Sequence, residues 1–236
     1  MIIVVKRTNI ILVGLIFVLL VAIFSLNVDT GKTASTAKVE NQKTVIIDAG
    51  HGGEDPGKVS NYSDLKEKDV NLKIALKAKE LLEQEDYTVI MTRQEDKLEY
   101  SEGTTNITEK RRQDLTRRKK IMDESGAAIV VSIHLNGFPE TQYFGAQTFY
   151  PPNSPESRKL AELIQQSVKA HGDPQNNRQP QLKKDPIIIL NNLKTPTAIV
   201  ECGFLSNAAE EKKLGTEEYQ NHLAAAIVEG IKSYFK

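Results

Sequence analysis

The 236-residue sequence predicts an α/β fold with a single folded domain at 44–236. Two observations carry this. Short β-branched runs bounded by turn residues alternate with longer stretches of helical apolar spacing, the pattern of βαβ units and a largely parallel sheet. The length also suits one domain with a sizeable core of its own. In such a sheet the carboxyl ends of the strands line the ligand crevice. Those ends are therefore where polar residues with chemical roles are expected.

The elements follow in order. Lys6 and Arg7 precede an almost unbroken apolar run at 10–26 with no charge inside it. That run is close to the lower limit of ~17 residues for a membrane span. No small-x-small cleavage site follows, so 1–27 reads as a signal segment or, preferably, an uncleaved membrane anchor. The preceding positive charges would hold the N-terminus in the cytoplasm and place the remainder on the outer face of the membrane. Residues 28–43 are rich in Thr, Ser, Ala and Lys without apolar periodicity, which predicts a flexible linker.

Strands are expected at 44–48, 87–93, 127–133, 145–150, 187–190 and 197–201, and helices at 69–84, 108–124, 155–170 and 217–234. The third helix has the clearest signals. Ser154 suits the N-cap, Pro155 the first turn, and Gly172 the stop. Leu160, Leu163, Ile164 and Val168 form its apolar stripe. Residues 96–106 and 172–186 read as polar loops. The basic run at 110–120 reads as a solvated helix face, part of which would meet an anionic membrane or wall.

Composition excludes some classes. The 31 basic and 31 acidic residues cancel, which argues against a nucleic-acid partner. Cys202 is the lone cysteine, so no intrachain disulfide forms. It reads as a small buried hydrophobe rather than a nucleophile.

His51 follows the first strand, flanked by Gly50, Gly52 and Gly53, which let the backbone turn sharply. There is no phosphate-loop spacing around it. His134 ends the 127–133 strand and Glu201 ends the last one. Two imidazoles and a carboxylate form a recurrent ligand set for catalytic zinc. Glu67, at the start of the first helix, fits either that carboxylate or an acid favouring a helix N-terminus. Asn71 lies one turn beyond it and shares its face. A carboxylate closing an apolar strand is costly unless paired or functional, which makes Glu201 a candidate general acid/base. His171 and His222 carry no such signal.

The stretches 45–53 (VIIDAGHGG), 67–72 (EKDVNL), 132–136 (SIHLN) and 200–207 (VECGFLSN) resemble the zinc-dependent N-acetylmuramoyl-L-alanine amidases of the amidase_3 type, over essentially all of 44–236. The resemblance implies that His51, Glu67 and His134 bind zinc and that Glu201 is the catalytic acid/base. It implies a twisted, mixed sheet with helices on both faces, and matches Arg118 to an arginine on the helix before the second histidine. The implied reaction is hydrolysis of the amide between N-acetylmuramic acid and L-alanine in peptidoglycan. A single catalytic domain behind an N-terminal anchor, without wall-binding repeats, most resembles the spore-cortex members, which strip stem peptides so that muramic-δ-lactam forms for germination. The short segment 135–144 leaves no room for the autoinhibitory helix of some members, so the open site needs another control, either an activating protein partner or weak unaided retention of zinc. The rival readings are a zinc peptidase acting within the stem and a non-catalytic wall-binding module.

Overall fold

The computed structural model describes residues 43–184, 187–191 and 193–236. The anchor expected at 1–27 lies outside the described residues, as does the linker up to Lys43. Among the described residues, no helix is long and apolar enough to cross a membrane.

The order is β1 (Thr44–Ala49), α1 (Glu67–Glu83), β2 (Thr88–Met91), α2 (Ile107–Glu124), β3 (Ile129–Asn136), β4 (Gln147–Tyr150), α3 (Pro155–Ser167), β5 (Gln181–Leu182), β6 (Thr197–Phe204), α4 (Ala208–Leu214) and α5 (Glu217–Tyr234). The strands make one mixed sheet in the order β2-β1-β3-β6-β4-β5. All neighbours are parallel except β4 against β6.

Strand side chains alternate between faces, and both faces are covered. Val45, Ile47, Val131, Ile133, Ala198 and Val200 pack on one side against the apolar faces of α1, α3 and α5. Ile46 and Val130 pack on the other against Met122 of α2 and against Ile189. The α3 start follows its sequence signals, with the Ser154 hydroxyl accepting from the Ser157 amide at 3.2 Å and Pro155 in the first turn. The helix then loosens into a π-helical turn at Val168–Gly172.

Three expectations are corrected. The apolar run at 187–190 is not a strand: Ile188–Leu190 forms a 3₁₀ turn that buries Ile189 in the second core layer. So short a run has no period to separate the two outcomes. The fifth strand is instead the two-residue Gln181–Leu182 inside the expected polar loop. Neither His134 nor Glu201 ends its strand, since β3 continues to Asn136 and β6 to Phe204. Finally, α4 was unexpected although its signal is present: the Asn207 side chain accepts from the amides of Ala209 and Glu210, and Glu210 stands at the third helical position.

Candidate metal centre and its cavity

The site grows out of strand alternation. On the face carrying Ile46 and Val130, each central strand turns polar toward its carboxyl end: Asp48 on β1, with Gly50 just beyond it, Ser132 then His134 on β3, Glu201 on β6. The register aligns these positions, pairing Asp48 with Ser132 and His134 with Glu201. Glu67, the first residue of α1, approaches from the opposite helical layer across the sheet edge.

There the two histidines meet Glu67. Glu67 Oε1 lies 3.2 Å from His51 Nε2 and 3.0 Å from His134 Nδ1. The imidazoles stand edge to face, with centroids 5.0 Å apart. One donor atom from each of the three residues falls within 4.8 Å of the others. Donors bonded tetrahedrally to one zinc at ~2.0–2.1 Å lie ~3.3 Å apart, so both the spacing and the N,N,O donor set suit that ion.

The surrounding backbone is shaped to these three side chains. A Cβ on Gly50 would sit 2.3–2.6 Å from the His134 ring. One on Gly57, whose φ is +65°, would sit 2.5 Å from Glu67 Oε2. Glu67 also accepts from the Lys58 and Leu135 amides at 2.8 and 3.1 Å and from the Asn71 amide at 3.3 Å. Asn71 thus makes the contact its spacing suggested. Burial works against the Glu67 charge, yet the imidazoles of His134 and His51 hold its carboxyl well below the usual range. Burial likewise pulls His51 down, but its bonds to Asp55 and Glu67 prevail and push the imidazole up to about 9.

Two buried arginines clamp the strand-end backbone. Arg118 donates to Ala49 O at 2.6 Å and His51 O at 2.7 Å, and pairs with Asp48 at 2.9 Å and Asp114 at 2.6 Å. Arg93 donates to Ala49 O at 2.9 Å and Gly50 O at 3.0 Å. Three successive carbonyls therefore have guanidinium partners. The solvated-face reading of 110–120 is corrected at Arg118, which is only 1% exposed and holds the loop that carries His51.

Glu201 faces the same space from β6. Its Oε2 is buried without a hydrogen-bond partner. Burial pushes its carboxyl up; His134 opposes this and the Glu67 charge adds to it. A cavity of about 340 Å³ opens here, lined by His51, His134 and Glu201 beside Leu115, Phe149 and Ile199. A carboxylate with one buried oxygen unpartnered, beside the paired histidines and Glu67 in a partly apolar cavity, is equipped to move protons. Cys202, by contrast, is fully buried on the other face and its thiol is pushed up by that burial.

Sequence reasoning missed Asp55 and Arg93. Asp55 had a readable signal, four residues after His51 in a glycine-rich turn. Arg93 had none, because its partners are backbone oxygens remote in sequence.

Residues 45–233 match the family described as N-acetylmuramoyl-L-alanine amidase. A germination-specific N-acetylmuramoyl-L-alanine amidase of Bacillus subtilis is 36% identical over 193 residues, covering 82% of this chain and 80% of the relative. Among solved structures, the CwlD amidase from Clostridioides difficile, in complex with the GerS lipoprotein, superposes with TM-score 0.79 at 44% identity, over 81% of this chain and 98% of that one. A second amidase structure, from Clostridium difficile 630, gives 0.70 at 34% identity over 82% and 97%.

Proposed function

The chain belongs to the N-acetylmuramoyl-L-alanine amidase family and is an enzyme of that activity, and from that premise we propose that it works as a zinc hydrolase with His51, Glu67 and His134 as ligands and Glu201 as acid/base. One observation carries the reading: two imidazoles and a carboxylate converge within 4.8 Å beside a buried carboxylate oxygen that has no partner of its own.

Held by His51, Glu67 and His134, zinc would supply Lewis acidity toward the water and the scissile carbonyl. Glu201 takes the proton of the attacking water. As the bond between the lactyl carbonyl carbon and the L-alanine nitrogen breaks, Glu201 passes that proton to the departing amine. A carboxyl raised by burial is suited to both transfers. His51 and His134 hold one wall of the cavity and the apolar Phe149 and Ile199 another, which limits the water around the reacting amide.

The wider role rests on the relatives. Likeness to a germination-specific amidase supports action on spore-cortex peptidoglycan, with stem-peptide removal leading to muramic-δ-lactam. The CwlD structure was solved with a lipoprotein, and we propose a protein partner for this chain too. Export to the outer face of a membrane follows from Lys6, Arg7 and the apolar run behind them.

Mass spectrometry of muropeptides tests the reaction. Incubation with the protein should release stem peptides beginning with L-alanine and leave intact lactyl sugars. Glu201→Gln should keep zinc and fold while turnover falls ~10²-fold or more. Retention of near wild-type release would remove Glu201 from its role. Cuts inside the stem would replace the amidase reading with that of a peptidase.

A further inference from the structure

We propose that Asp55 is a positioning residue of the metal centre, locking the His51 ring so that Nε2 faces the ligand cluster, and that Arg111 anchors Asp55 in turn. This rests on the zinc reading above.

The loop is built to bring the Asp55 carboxylate back onto the ring. Gly52 and Asp55 exchange two backbone hydrogen bonds, at 3.0 and 2.9 Å, closing a tight turn directly after His51. His51 itself has φ = +61°, a left-handed conformation that persists in a histidine only where its surroundings enforce it. Arg118 enforces it from one side by holding His51 O at 2.7 Å. Asp55 does so from the other, its Oδ2 lying 2.8 Å from His51 Nδ1.

Asp55's two oxygens have separate tasks. Oδ1 takes Arg111 Nη2 at 2.6 Å and the Gly57 amide at 3.4 Å. Oδ2 is left for the imidazole. An acceptor fixed at Nδ1 keeps a proton there and turns Nε2 to the opposite side of the ring, toward Glu67 Oε1 at 3.2 Å, so that its lone pair would meet a zinc ion bound in the cluster. Asp55 therefore touches no reacting atom and acts through His51. Arg111 comes from α2, and both residues line the cavity. The pair joins the helix on one face of the sheet to a ligand supplied by the loop after β1.

The test measures zinc affinity by chelator competition on the full chain for wild type, Asp55→Asn, Asp55→Ala and Arg111→Gln, with His51→Ala as the lost-ligand reference. Circular dichroism confirms that each variant is folded. Asp55→Ala should bind zinc ~10–100-fold more weakly, the usual effect of losing a carboxylate behind a ligand histidine. It should still reach one zinc per chain at saturation. Asp55→Asn, isosteric and still an acceptor, should lie between that variant and wild type. Arg111→Gln should weaken binding less than Asp55→Ala, and combining the two should add nothing, because Arg111 acts through Asp55. Wild-type affinity in Asp55→Ala would overturn the inference, and full additivity would overturn the part given to Arg111. If Asp55→Ala lost stoichiometric zinc as His51→Ala does, Asp55 would be a ligand and not a positioning residue. If wild type itself took up no zinc, the metal reading would fall and this inference with it, a result recognisable before any variant is made.

Discussion

At the scale of single residues, the centre depends as much on missing atoms as on present ones. The His134 ring occupies the space where a Gly50 side chain would be. Gly50→Ala should therefore displace the ring or the strand end, with overpacking costing about 1–3 kcal/mol and zinc affinity falling with it; denaturant unfolding and chelator competition read the two effects. Protonation is equally local. Against the pull of burial, Asp55 and Glu67 hold the His51 imidazole protonated up to about pH 9, whereas the zinc-ligand role proposed for it requires the deprotonated ring. Zinc uptake at neutral pH should thus release a proton, and affinity should rise with pH until about 9. Calorimetry in buffers of different ionisation enthalpy would reveal this, and an uptake with no proton release would contradict it. His51, Glu67, His134 and Glu201, which the structure brings to one place, each lie in a distinctive local stretch, although Glu67 read equally as a ligand or a helix-start acid until the family resemblance was drawn. Asp55's partner Arg111 was not legible, since a residue in a basic run gives no sign of which arginine turns inward.

At the scale of elements, strand alternation makes the site readable and helix placement makes it rigid. Ile46-Asp48-Gly50 and Val130-Ser132-His134 pass from apolar to polar on one face, so a single parity assignment brings Asp48 and His134 onto the face Glu201 occupies. The bounds of β6 were less legible than its existence: the run of apolar residues stops at Glu201, but pairing with β3 continues to Phe204, because ladder hydrogen bonds do not depend on side-chain polarity. The α5 helix, a long periodic segment, was read at its true limits, while the short run ending in Leu190 could not be. Arg118 ties α2 to β1 through Asp48, and both are almost wholly buried. Removing one partner strands a buried charge, so Arg118→Ala should lower unfolding free energy by about 3–5 kcal/mol. Arg118→Lys should recover only part of this, since one ammonium cannot span Ala49 O, His51 O, Asp48 and Asp114 as the guanidinium does. A lysine variant of wild-type stability would show that the fork geometry is irrelevant.

At the scale of the whole molecule, the three central strands β1, β3 and β6 carry the site, while the short outer strands β2 and β5 carry none of it. The His51, Glu67 and His134 cluster, both clamping arginines and the two core layers lie within 41–236, which forms a compact unit by itself. A chain beginning at Asn41 should therefore fold, bind zinc and hydrolyse soluble muropeptides, with single-step thermal unfolding as the check on folding. What the first forty residues add is a matter of place. We propose that Lys6 and Arg7 and the uncharged apolar run after them enter a membrane with the basic end retained on the cytoplasmic side. The full chain should then float with membrane vesicles, resist extraction by high salt, and be open to protease from the outer face. The shortened chain should remain in the soluble fraction with its zinc affinity unchanged. Recovery of the full chain in soluble cytoplasm would reject the anchor without touching the chemistry, because the cluster and its cavity are assembled from residues after Thr44.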